Sequence, residues 1–110
     1  MKTHQEIDER SLAMHRLVAA RVEQDPALFV KAKGTLARWR NSVSASSQPW
    51  LDEWERLMDR GVEACFAVAL EDSPKAAALR QSSPFSGVLS NQERFAFLRD
   101  WRRDHEAKGT

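Results

Sequence analysis

Few side chains in this sequence are of types that carry out covalent or acid–base chemistry, and their surroundings restrict what they can do. The one thiol, Cys65, would be a nucleophile only with a base beside it and a stabilised thiolate. Its neighbours from Val62 to Leu70 are apolar apart from Glu63, and burial in such company raises a thiol pKa and quenches it. Cys65 therefore reads as a core residue, and a lone cysteine excludes an internal disulfide framework and a thiolate zinc site. The histidines are His4, His15 and His105. His4 and His15 fall on one helical face but about 16 Å apart along its axis, too far to ligate a single ion. His15 lies at the edge of an apolar stripe, where a lone imidazole is more often a hydrogen-bonded packing group than a general base. No glycine-rich phosphate loop, His-Glu-x-x-His pair or Gly-x-Ser-x-Gly elbow occurs. The expectation is a protein that is not an enzyme, with no catalytic residues, no metal site and no cofactor.

What remains is recognition through charge and aromatic surface. Lys31, Lys33, Arg38 and Arg40 flank the apolar stripe of the second helical segment, and Arg94, Arg99, Arg102 and Arg103 lie on the last. Each set would supply about four phosphate contacts, enough for weak, salt-sensitive nucleic-acid binding. Against this, the last segment interleaves Asp100, Asp104 and Glu106. The best helix-turn-helix pair is also separated by about seven residues, where a tight turn of three or four is needed. Asp52, Glu53 and Glu55 sit on the outer face of an amphipathic segment. The acidic middle of the chain either pairs with the basic second segment or presents an opposite face to a partner, and internal pairing is the simpler reading. The aromatic residues are more specific. There are four Trp and no Tyr, and Phe95, Phe97, Leu98 and Trp101 spread over roughly 160° of the last segment, wider than a surface helix needs. Either the rest of the chain covers that arc, or part of it is an interface for another protein or a second copy, where Trp and Arg dominate binding energy.

Helices must position these groups. The chain has 110 residues, 42% apolar and 30% charged, with four Gly, four Pro and a net charge of +1, which is the make-up of one compact soluble domain with no strong field toward nucleic acid or membrane. No window reaches the roughly 18 apolar residues that span a bilayer, and the charged start Met1–Glu6 has no apolar run behind it, so a cytoplasmic location is expected. Thr3 with Glu6 and Ser90 with Glu93 have capping-box spacing. Asp25-Pro26 and Ser73-Pro74 pair an N-cap residue with proline at the first helical position, Pro49 gives a weaker start signal, and Gly61 marks a break. These signals predict about six helices, near 4–24, 26–42, 49–60, 62–71, 74–82 and 91–106.

Periodicity turns Ile7, Met14, Leu17, Val18 and Val22 of the first helix inward and Leu12 away. Leu28, Phe29, Ala32, Leu36 and Trp39 face inward from the second, and Trp50, Leu51, Trp54, Leu57 and Met58 from the third. No stretch alternates as a strand does. The fold class is therefore all-α, a compact bundle of five or six helices forming a single domain over 1–110, with loops near 41–48 and 83–89. The first loop is Ser/Ala-rich and reads as flexible. The second carries Phe85, Val88 and Leu89, whose exposure would cost about 1.5–3 kcal/mol each, so it is expected to fold back onto the core or onto a partner.

The segments Ser11–Ala19 (SLAMHRLVA), Thr35–Trp39 (TLARW), Trp50–Trp54 (WLDEW) and Leu79–Leu89 (LRQSSPFSGVL) together resemble a family of short, uncharacterised bacterial helical proteins similar to the antitoxin components of toxin–antitoxin pairs. The resemblance implies a small, non-catalytic helical protein that binds and silences a partner enzyme, and it carries no catalytic role onto these residues. The DNA-binding part that antitoxins commonly have finds no clear counterpart in this chain. The resulting expectation is a protein-interaction module, antitoxin-like, whose partner is a toxin-like enzyme or a second copy of itself. Its expected contact residues are Arg80, Gln81, Ser82, Phe85, Arg99, Trp101 and Arg102. The alternative is a small nucleic-acid-binding regulator that uses the basic second or last helix.

Overall fold

A computed structural model describes residues 4–42 and 44–108, and its helices begin where the start signals lie. They are α1 (His4–Gln24), α2 (Ala27–Arg40), α3 (Gln48–Asp59), α4 (Val62–Ala69), α5 (Pro74–Gln81) and α6 (Asn91–Lys108), with 3-10 turns at Ala45–Ser47 and Pro84–Gly87 and no strand among the described residues. Side-chain capping is visible at the starts of α2, α5 and α6. Asp25 Oδ1 accepts from the Ala27 amide at 3.2 Å, and Ser73 Oγ accepts from the Ala76 amide at 3.2 Å. Ser90 and Glu93 form the reciprocal box: the Glu93 amide donates to Ser90 Oγ at 3.1 Å and the Ser90 amide to Glu93 Oε1 at 3.2 Å. Thr3 of the other expected box lies outside the described residues. Gly61, with φ of 105°, separates α3 from α4 in a backbone region that only glycine enters at low cost. The stretch expected to be a flexible loop is partly ordered, because the 3-10 turn Ala45–Ser47 leads directly into α3.

One contiguous core fills the bundle, and its centre is the ring of Phe85. That ring lies 4.9 Å from Phe66, 5.7 Å from Trp54 and 6.0 Å from Phe29, so α4, α3 and α2 each contribute an aromatic partner to one turn. The folding back expected of the second loop therefore occurs onto the core, with Val88 and Leu89 buried beside Phe85. Trp54 is completely enclosed, and its indole N–H donates to the Leu79 carbonyl at 2.9 Å, which removes the cost of burying that polar group.

Two faces differ from their sequence pattern. The inward face of α1 carries Leu12, His15, Val18 and Val22, while Ile7 is exposed and Met14 and Leu17 are half-buried. The face is rotated because α1 packs against both α2 and α5, and His15 meets Ser83 beyond the end of α5. On α3, Trp50 stands at the helix start with 39% of its surface open, and only Leu51, Trp54, Leu57 and Met58 are buried. On α2, Phe29, Ala32 and Leu36 are buried as expected, while Leu28 and Trp39 are only half-buried against the core and Thr35 joins it, its hydroxyl donating to the Lys31 carbonyl and accepting from Arg38 Nη2.

The charge separation along the chain is partly internal. Arg40 of α2 reaches both Asp52 and Glu55 of α3, and Glu53 pairs with Arg56 and Lys75. Arg56 and Lys75 are exposed and their pairs are weak, whereas Arg40 is partly enclosed, its Nη1 out of contact with solvent and without a hydrogen bond. No described helix is long and apolar enough to cross a membrane.

Truncating Phe85→Ala should remove about 3–5 kcal/mol of stability, the usual range for a large aromatic deleted from a filled core. Urea denaturation followed by tryptophan fluorescence reads this directly. A loss below about 1 kcal/mol would mean that the Phe85 ring is not the centre of the core.

Candidate interaction surface and the buried polar groups

The expected contact residues divide into two groups that the fold separates. Arg80 and Phe85 are buried, 5% and 0% exposed, and their side chains are committed to the interior; they are not surface contacts. Gln81 is exposed at the end of α5, and Ser82 beside it is half-buried. Arg99, Trp101 and Arg102 lie together on α6, the arginines exposed and the indole half-buried.

Arg80 acts as a cap for a helix other than its own. Its Nη1 donates to the carbonyls of Ala69 at 2.8 Å and Glu71 at 2.9 Å, where α4 ends and its last carbonyls lack intrahelical partners. Its Nε is buried without a partner. Burial lowers the guanidinium pKa, while the Asp8 and Asp72 carboxylates act in the opposite direction. Those two carboxylates and Ser73 border a groove of about 410 Å³ beside Arg80.

His15 and Ser83 form the other buried polar contact. His15 Nδ1 lies 2.8 Å from the Ser11 carbonyl, which can only accept, so the proton sits on Nδ1 and Nε2 carries the lone pair. The Ser83 hydroxyl, 2.8 Å from Nε2, therefore donates to it. Ser83 Oγ in turn accepts from the Phe85 amide at 3.1 Å. A serine hydroxyl directed at an imidazole has the geometry of a nucleophile and its base. Here, however, Ser83 is 3% and His15 4% exposed, so no substrate reaches either atom, and the contact ties the Phe85 turn to α1. Burial holds His15 below the ordinary imidazole value of 6.5, and Arg80 adds to the effect. The Cys65 thiol is pushed up to about 12 by burial, partly offset by the charge of Lys33. Among the described residues no group of three or more His, Cys, Asp or Glu side chains could hold a metal ion.

The open surface that gathers the most recognition chemistry is α6. None of its described residues is fully buried, although it carries Phe95, Phe97, Leu98 and Trp101. Phe97 and Trp101 lean toward α1 and, with Leu17, floor a groove of about 420 Å³ whose rim is Arg21, Glu93, Asp100 and Asp104. Trp101 stacks on His105 with centroids 3.6 Å apart, and Phe97 stacks on Trp101 at 6.2 Å, so the row is preformed. On the far side, at about 100° per residue, Phe95, Arg99 and Arg102 point away from the bundle. Phe95 is 71% exposed, more than any other large apolar residue described. The contact residues proposed from sequence omitted Phe95 and Leu98. Their signal was the width of the aromatic arc, because a single helix cannot turn residues at both edges of such an arc into one core.

Because the unfolded chain binds a proton at His15 more readily than the folded one, this residue contributes stability that is fully present above about pH 6.5 and is lost as pH falls through the lower folded value. Denaturation at a series of pH values from 8 downward should show that decline, and His15→Gln should flatten it. Ser83→Ala should cost about 1–3 kcal/mol by leaving the buried Phe85 amide unpaired. Native Cys65 should resist iodoacetamide at pH 8 and react once the chain is unfolded; rapid modification of the folded protein would contradict a buried thiol.

Comparison with protein families, with curated proteins and with solved structures yields no match for this chain.

Proposed function

We propose that this protein is a non-catalytic interaction module that works by docking a partner protein on α6, as an antitoxin-like regulator holds and silences its target. The observation that carries this reading is the apolar surface of α6: Phe95 is 71% exposed and Leu98 and Trp101 are half-buried, next to Arg99 and Arg102. An aromatic anchor flanked by arginines is the composition of residues that dominate protein–protein binding energy. The reactive types support no competing chemistry, since Cys65, His15 and Ser83 are all enclosed. The nucleic-acid alternative is weaker on geometry. Arg40 is engaged by Asp52 and Glu55, and Arg99 and Arg103 lie within 3.5 Å of Asp100, which would oppose a phosphate backbone.

The test is purification from the native host of tagged wild type and of Phe95→Glu, a substitution at an open position that leaves the fold intact. Wild type should bring down a stoichiometric protein, and Phe95→Glu should reduce its recovery at least tenfold with unchanged thermal stability. Absence of any stoichiometric protein, or equal recovery by both, would sink the proposal. Duplex DNA or RNA bound at low salt with affinity insensitive to Phe95→Glu would favour the alternative.

A further inference from the structure

We infer that, in the absence of another partner, the α6 surface is taken by a second copy of this chain in a head-to-tail contact, with Phe95 of one molecule seated in the α1–α6 groove of the next. This rests on the reading of α6 as an interface and adds the identity of its occupant.

The two flanks of α6 are complementary in shape and in charge. One presents a knob, Phe95, 71% exposed, with Arg99 and Arg102 on the same face. The other presents an open groove of about 420 Å³ lined by Leu17, Ala96, Phe97 and Trp101, against which a phenyl ring can lie. The rim of the hole is mainly acidic, with Glu93, Asp100 and Asp104 set against Arg21. Glu93 is committed to the Ser90 cap and to Arg21, whereas Asp100 and Asp104 are held by exposed arginines: Arg103 lies 3.4 Å from Asp100 and 3.7 Å from Asp104, with its side chain 70% exposed, and Arg99 lies 3.5 Å from Asp100. Such exposed pairs are weak and exchange readily for an incoming guanidinium. An arginine-flanked phenyl ring therefore finds an apolar floor and acidic edges in the groove.

A two-fold dimer does not satisfy the same surfaces. Packing two open faces of α6 against each other brings Arg99 and Arg102 of one copy against those of the other, and like charges in contact are unfavourable. Knob and hole lie on opposite flanks of the helix, so the contact is heterologous and does not close as a two-fold dimer. Each added copy leaves one free knob and one free hole. Association consequently runs past the dimer, to a ring or a chain as the rotation per copy dictates, grows with concentration and is weakened by salt.

Heterologous contact has a signature that no two-fold dimer shares. Phe95→Glu removes the knob and keeps the hole, whereas Ala96→Trp fills the hole and keeps the knob, since Ala96 lines the groove and is half-exposed. In analytical ultracentrifugation over a concentration series, wild type should exceed dimer mass at the highest concentrations, and each variant alone should remain a monomer. An equimolar mixture should form a one-to-one dimer and stop there, because one functional knob meets one functional hole. Circular dichroism checks that both variants keep their helices, and Arg102→Glu provides a second knob variant should either lose structure. Wild type that stays monomeric throughout, or variants that neither lose association nor complement one another, would overturn the inference. A monomeric wild type that still captures a host protein through Phe95 would remove the second copy while leaving the broader reading of α6 standing.

Discussion

The structure depends on placing one aromatic ring, Phe85, at the meeting point of α2, α3 and α4 from a turn that is itself inside the protein. A buried turn carries backbone groups that cannot reach water, so its polar atoms need partners before its apolar ones are useful. Here they form a relay. The Phe85 amide donates to Ser83 Oγ, the Ser83 hydroxyl to His15 Nε2, and His15 Nδ1 to the Ser11 carbonyl. The last link lies within α1, so the first helix is fastened to a turn 68 residues away. Hydrophobic packing supplies most of the energy of this centre, and the relay decides which conformation of the turn can have it.

Where the determinants were local, the sequence disclosed them. Helix starts follow from Asp25, Ser73, Ser90 and Glu93, because a capping group acts within its own turn and its spacing is written in adjacent residues. The all-α class followed from the absence of alternation, and the return of the Phe85 loop from the cost of wetting three apolar side chains. Long-range determinants were not legible. The rotation of the inner face of α1 depends on His15 finding Ser83, and no periodicity within α1 records that partner. Arg80 has the composition of a surface contact, yet it is buried because the free carbonyls at the end of α4 happen to be within its reach. Its role belongs to a junction between α4 and α5 and not to any motif in either.

For the surface, composition singled out α6 but not its most exposed apolar residue. Trp101 and the arginines stood out by type, whereas Phe95 is distinguished only by its position at the outer edge of the aromatic arc. That position means something once the direction of α1 is known, because α1 shelters one edge of the arc and leaves the other in water. Near-neutral net charge also hides the polarity of α6, whose acidic and arginine-rich flanks cancel in any count along the chain.

The manner in which α6 is attached also sets its dynamics. Its first turn is held by the Ser90–Glu93 box, by the pair of Glu93 with Arg21 at 2.9 Å and by Arg94 donating to the Ser86 carbonyl at 2.6 Å. Beyond Arg94, no described residue of the helix is fully buried. Opening its distal turns uncovers only side chains that are already partly exposed and breaks no link to Phe85, so the free energy of that opening lies below that of global unfolding. Amide protons of α6 past its first turn should therefore exchange ahead of those of α2, α3 and α4, and the helix can fray and re-form while the aromatic centre stays intact.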